Sequence, residues 1–355
     1  MTRLFILTAS CLLMLASCNT YKSNEAAENK VRQQVDTIGF AQYSWQIDSV
    51  MARLDRRGWE RITGDPWKLA ICPHDDYTYV GKLYPAVLHN VRADNLFLIG
   101  VAHKAAQLGL EDYLIFDTHN YWYGPYGNVP VSPARDEVFQ ALKDKYAIIS
   151  DTMHIVEHSL ESLIPFMQYF KRDVSIIPLV VPAMSPDRMN ECGKALAEAI
   201  KTVADIRQWE WGSDYAIVVT TDAVHYGNKD WSGKDYALYG CDDQGNAKAR
   251  AYEYEIIENC LKGEVGPENF RRFSEYTIDS TDYHKYRWTW CGRYCIPVAL
   301  YTAYYLNDSV ELNGEFIGYS TSITSDHIPV KDLGMGTTAI AADCHWVGYA
   351  ALGYR

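Results

Sequence analysis

The chain has 355 residues, 48% of them hydrophobic, enough for a large core within one α/β unit. A net charge of −12, from 33 basic and 45 acidic side chains, disfavours nucleic acid and anionic membrane surfaces as partners. Nine irregularly spaced cysteines exclude a small disulfide framework, and most of the 27 tyrosines and 10 tryptophans are expected to serve packing and amphipathic surface.

The first segment reads as a leader. Arg3 gives a basic start, Leu4 to Met14 form a short apolar run, and Leu15-Ala16-Ser17-Cys18 closes it. That run is shorter than the roughly 20 residues a spanning helix needs, and polar residues follow at once, so a secretory signal is expected. The Leu-Ala-Ser-Cys box resembles the bacterial lipoprotein cleavage site. It implies a signal over residues 1–17, an acylated Cys18, and export to the cell envelope, with the outer membrane preferred and the lipid as sole membrane attachment. Residues 18–40 are expected to be anchor and polar tether, and 41–355 the domain. Without Cys11 and Cys18 seven cysteines remain, so in an oxidising compartment at least one thiol is free, metal-bound or joined to another chain.

Beyond the tether, short β-branched runs alternate with longer amphipathic ones, the pattern of a buried, largely parallel sheet with helical crossovers. Strands are predicted at Leu69-Cys72, Leu96-Gly100, Tyr113-Phe116, Ile176-Val181, Ala216-Thr220, Glu315-Ser320 and near Trp346-Ala350. Helices are predicted at Trp45-Arg56, Leu83-Val91, Arg135-Tyr146, Ser159-Phe170, Asp187-Val203, Ala247-Cys260 and Tyr294-Tyr305. The turn-rich stretch from His119 to Pro133 suggests a hairpin or long loop. With no internal repeat or composition break, one three-layer α/β domain is expected, its mixed, mostly parallel sheet flanked by helices.

Polar groups gather where strands stop. Leu69-Cys72 runs into Pro73-His74-Asp75-Asp76, Leu96-Gly100 into Val101-Ala102-His103-Lys104, and Val218-Thr220 into Thr221-Asp222-Ala223-Val224-His225. Ligands of open α/β sheets sit beyond the carboxyl ends of the strands, so these ends point to one shared site. A lone histidine in a loop usually means little; three strand ends carrying His, His and Asp mean more. The imidazoles of His74 and His103 suit zinc, copper or iron, with Asp222, His225 or Cys291 as third ligand. Asp222 and His225 are otherwise expected as an orienting partner and a general acid/base.

Several motifs in order carry a resemblance: Pro73-His74-Asp75-Asp76-Tyr77-Thr78-Tyr79-Val80-Gly81, the Gly100 to His103 strand end, Glu157-His158-Ser159-Leu160-Glu161, Thr221 to Gly227, Cys291-Gly292-Arg293, and Gly318 to Ser322. Together they resemble the Memo-like family, including the proteins called AmmeMemoRadiSam system protein B, over nearly the whole chain after about residue 65. The resemblance implies a fold like that of class III extradiol dioxygenases, metal positions at His74, His103 and Cys291, and Asp222 and His225 lining the same pocket. It further implies iron or copper redox chemistry or metal handling, with a small molecule or peptide as ligand. Three functions stay open: a mononuclear non-haem, dioxygenase-like oxidoreductase, a non-catalytic metal- or ligand-binding envelope protein acting through a partner, and a zinc-assisted hydrolase.

Departures from the family pattern mark further candidates. Asp75 and Asp76 stand where Ala-Gly is usual and are expected to cap the following turn or add oxygen ligands. Lys104 replaces a second histidine. Cys295 takes a proline slot one helical turn beyond Cys291, which raises a redox pair as an alternative to two small buried side chains. Glu157 and His158 are expected to begin a helix, where Glu157 either orients a ligand histidine or complements the helix dipole.

Overall fold

The computed structural model describes residues 30–355; the expected signal, the Cys18 anchor and the first part of the tether lie outside the described residues. The strands are β1 (Val31–Arg32), β2 (Leu69–Cys72), β3 (Asn95–Val101), β4 (Leu114–Phe116), β5 (Tyr121–Trp122), β6 (Val129–Pro130), β7 (Ala147–Ile149), β8 (Ser175–Val181), β9 (Tyr215–Thr220), β10 (His225–Gly227), β11 (Gly263–Val265), β12 (Leu312–Thr321) and β13 (His345–Tyr354). The main sheet runs β11-β12-β13-β2-β9-β3-β8-β4-β7, with β10 pairing to β13. Its centre, β2-β9-β3-β8, is parallel. The strands β11, β12 and β13 on one side are antiparallel, as is the β4–β8 pairing on the other.

Period-two alternation builds the layers, because successive strand side chains point to opposite faces. Leu69, Ile71, Phe97, Ile99, Ile217 and Val219 share one core with the helices Pro186–Arg207 and Cys295–Leu306. Ala70, Cys72, Leu96, Leu98, Ala216 and Val218 face the other core, with the helices Ser44–Arg57, Leu83–Leu88 and Ile164–Phe170. This is the three-layer α/β domain expected from the sequence. Ser185 starts the longest helix by accepting a hydrogen bond from the Arg188 amide, with Pro186 in the first turn. Among the described residues no helix is long and apolar enough to cross a membrane.

Two local expectations change. The Ser159-Phe170 helix is shorter, starting at Ile164 with Pro165 in its first turn. The residues before it are claimed elsewhere: the Ser159 hydroxyl donates to the Val101 carbonyl at 3.0 Å, and the Glu157 carboxylate accepts from the Ser159 amide. Likewise, Glu157 and His158 do not begin a helix; Glu157 caps the C-terminus of the helix Asp151–Val156.

The second change concerns residues 30–40, which are docked onto the domain rather than strung out as a tether. β1 pairs with β5. The buried Arg32 guanidinium forms an ion pair with Glu161 and donates to the His154 carbonyl, while Glu161 accepts the amides of Val35 and Asp36. Phe40 is buried in the core. Polar composition is misleading here because Arg32 is neutralised by a partner 129 residues along the chain.

Candidate metal centre

Three parallel neighbours bring the site together. Cys72 of β2 lies opposite Thr220 of β9, and Ile99 of β3 opposite Val219 of β9, so all three strands end on one sheet edge. Two residues past those ends stand His74, Asp222 and His103. Cys291 arrives from the turn before the helix Cys295–Leu306.

The donor atoms of His74, His103 and Cys291 lie within 4.8 Å of one another. His103 Nε2 is 2.9 Å and His74 Nε2 3.6 Å from Cys291 Sγ. Hydrogen bonds to the far nitrogens aim both rings. His103 Nδ1 donates to Glu157 Oε1 at 2.8 Å. His74 Nδ1 lies 3.0 Å from the Thr220 hydroxyl, whose own proton goes to the Ser159 carbonyl at 3.1 Å. That hydroxyl therefore accepts from Nδ1–H, which leaves His74 Nε2 bare toward the thiol. Two imidazoles with fixed far nitrogens and one sulfur make a donor set suited to a borderline or soft metal ion, so these residues could hold one.

Electrostatics separates the two rings. Burial opposes charge on His103, but the Cys291 sulfur and Glu157 outweigh it and hold the ring well above the usual histidine range. Burial, then the charge of His103, pushes His74 well below it. Glu157 remains ionised despite its burial, because His103 and the amides of His103, His158 and Ser159 hold it well below the carboxylate range. Of the two readings given to Glu157, the helix-dipole one does not apply, since no helix begins there, and its carboxylate instead holds His103 Nδ1. His158 stacks on His103 with centroids 4.8 Å apart, and it forms a second group of candidate donors with His103 and Glu157. Burial and then His103 push His158 down to about 4.

The other candidates take different places. Asp222 is buried; its Oδ1 accepts from the His74 amide at 3.0 Å and its Oδ2 lies 3.4 Å from His74 Nε2. Burial and then Asp75 drive Asp222 well up. Asp75 and Asp76 belong to neither group of donors. The expected turn cap is absent, since no Asp76 side-chain cap forms. Asp76 instead accepts from the Thr338 amide, and Asp75 from the Tyr349 hydroxyl and the Asp76 amide. Cys295 is buried at its helix start with Sγ toward the carbonyls of Thr220 and Gly292, and both it and Cys291 are free thiols. His225 is half-buried, pushed down to about 3 by burial and then by His103, and its Nε2 has no hydrogen-bond partner among the described residues.

His103 and Cys291 open into a cavity of about 390 Å³, walled by Val101, Ala102, Val181 and Pro182 and by Tyr286, Arg293 and Tyr294. His225 opens into a neighbouring cavity of about 250 Å³ that shares Tyr286. Sequence reasoning gave no role to Thr220, Tyr286 or Arg293. Arg293 stands inside the recognised Cys291-Gly292-Arg293 motif and Thr220 ends the strand just before another, whereas nothing local marks Tyr286.

These features define an α/β protein with a His-His-Cys group at the carboxyl edge of its sheet. The Memo-like protein family profile matches residues 44–332. The chain belongs to the Memo-like family. It is 28% identical over 165 residues to a MEMO1 family protein of Methanothermobacter thermautotrophicus, covering 46% of this chain and 56% of that protein. A MEMO1 family protein of Aquifex aeolicus is 30% identical over 161 residues, 45% and 54% of the two chains. One from Saccharolobus islandicus is 26% identical over 199 residues, 54% and 63%. The chain thus spans about half to two-thirds of the length of these curated relatives.

Proposed function

We propose that this protein is a mononuclear metal-dependent oxidoreductase, dioxygenase-like, with His74, His103 and Cys291 holding iron or copper, and zinc as the alternative ion. The supporting observation is the pair of histidine Nε2 atoms aimed at one sulfur by Thr220 and Glu157. The bound ion would supply activation of dioxygen or of a substrate oxygen. The protein's own groups do the rest. Glu157 fixes the His103 ring, Asp222 secures the His74 backbone, and His225 supplies a neutral imidazole with a free nitrogen beside the site. The ligand class is a small molecule or peptide entering the cavity that His103 and Cys291 line.

A non-catalytic metal- or ligand-binding role, exerted through a partner, is favoured by one observation. His225 lines the neighbouring cavity and not the one that His103 and Cys291 line. A zinc hydrolase is weaker, because Glu157 already accepts four N–H groups, and Asp222, whose Oδ2 lies 3.4 Å from His74 Nε2, is driven well up by burial and then by Asp75 and so resists ionising as a base. Elemental analysis of the native protein and of His103→Ala, followed by anaerobic reconstitution and an oxygen-uptake screen with catechol-like compounds, tests these readings. Metal lost in the variant with uptake in the wild type supports the oxidoreductase. Stoichiometric metal without turnover leaves the binding role, and no metal in the native protein sinks both. We also propose that Cys18 is the lipid anchor of an envelope protein, which an unmodified Cys18 in the mass of the mature N-terminal peptide would refute.

A further inference from the structure

Three arginines are buried among the described residues, Arg32 at 2% exposure and Arg135 and Arg293 at 6%. Arg32 is paired with Glu161, and Arg135 with Asp117 and Asp136. Arg293 has no carboxylate within ion-pair reach among the described residues. Its guanidinium carbon lies 3.4 Å from the centroid of Tyr286 and 4.4 Å from that of Tyr294, and Nη2 donates to the His284 carbonyl at 3.0 Å. Nε has no hydrogen-bond partner among the described residues. Aromatic faces and one carbonyl hold a cation in position but do not neutralise it, and an uncompensated buried charge is heavily penalised. The same side chain forms part of the wall of the cavity onto which His103 and Cys291 open.

We propose that this cavity binds a small organic monocarboxylate with an apolar body, its carboxylate paired with Arg293. A planar guanidinium matches a carboxylate in shape as well as charge. One unpaired cation balances one negative charge. The acid at the rim, Glu111, is already engaged by His284 at 3.0 Å and would repel a second negative charge. The walls of Val101, Ala102, Val181 and Pro182 fit a hydrocarbon or aromatic body, and about 390 Å³ lies at the small end of the range for ligand pockets. The proposal rests on the metal-site reading only for the location of the ligand's apolar end near His103 and Cys291. Recognition by Arg293 needs no metal.

The test therefore uses the full chain, metal-free, titrated calorimetrically with benzoate, benzyl alcohol and inorganic phosphate. Benzoate is expected to bind about tenfold or more tightly than either comparison compound. Arg293→Gln is expected to abolish that preference while leaving benzyl alcohol binding unchanged. Should Arg293→Gln fail to fold, Ala106→Trp at the exposed cavity wall fills the same space with Arg293 intact, and it is expected to weaken benzoate at least tenfold. Equal affinity for benzoate and benzyl alcohol, tighter binding of phosphate, or unchanged benzoate affinity in Ala106→Trp overturns the proposal. Absence of metal from the native protein would defeat the oxidoreductase reading and leave these titrations standing.

Discussion

Replacing Glu157 with Gln separates a ligand-orienting carboxylate from a merely structural one. Glu157 Oε1 accepts three N–H groups, from His103 Nδ1 and the amides of His158 and Ser159, and Oε2 accepts the His103 amide at 2.7 Å. A glutamine can keep its oxygen at the first position, which turns its NH₂ group onto the His103 amide and replaces one bond with a clash of donors. Hydrogen bonds to an ionised group contribute about 1.5–3 kcal/mol each, so the stability loss should be about 2–3 kcal/mol once the remaining bonds lose their charge. Because Glu157 is held well below its ordinary value of 4.5 when folded, its contribution is complete above that pH and is lost progressively as the pH falls from there toward the folded value. The same substitution weakens the hold on His103, and loss of such an outer partner typically costs 10–100-fold in metal affinity. Competition titration with a chelator and urea denaturation read the two effects separately. A stability loss with metal affinity within twofold of wild type would refute the orienting role.

Further outcomes follow from the same contacts. Metal affinity should rise with pH through the neutral range, because the raised His103 must release a proton before Nε2 can bind a metal; chelator competition at pH 6 and pH 8 checks this, and equal affinities would count against it. Burial pushes Glu253 up to about 7, so the folded state binds its proton more tightly, and stability should fall by about 3 kcal/mol as the pH climbs from 4.5 to 7. Glu253→Gln should remove that slope in urea denaturation at pH 5 and pH 8. Gly292→Ala would put its Cβ 2.2 Å from Thr221 Oγ1, displacing the Cys291 turn, and should reduce metal affinity about tenfold with a lower Tm. Glu161→Ala leaves Arg32 buried and unpaired at a cost of about 3–5 kcal/mol, and limited proteolysis should then cut within residues 30–40, a region the wild type protects.

The alternating pattern was strong enough to find each central strand to within about a residue, Leu69–Cys72 and Ser175–Val181 among them, because a strand buried on both faces reads as a continuous apolar run. The helix Pro267–Thr277 escaped although its buried Phe270, Phe273, Ser274 and Thr277 recur at helical spacing, because two of those four are polar and leave only Phe270 and Phe273 as apolar markers. Asp75 and Asp76 looked like caps for the following turn from their neighbours alone, but Thr338, 262 residues away, takes the Asp76 carboxylate. The pairing of Arg32 with Glu161 likewise spans a distance that no local pattern records.

By itself the sequence determined the α/β class, the strand ends carrying His74, His103 and Asp222, and the family whose motifs add Cys291. These are legible because periodicity and motif order are properties of neighbouring residues. Only the tertiary structure decided which nitrogens face Cys291, that Glu157 and Thr220 hold the far ones, that residues 30–40 pack on the domain, and that among the described residues Arg293 alone of the buried arginines lacks an acid. Each of those depends on groups far apart in the chain meeting where water is largely excluded from the polar contacts, so that hydrogen-bond direction and uncompensated charge carry large energies.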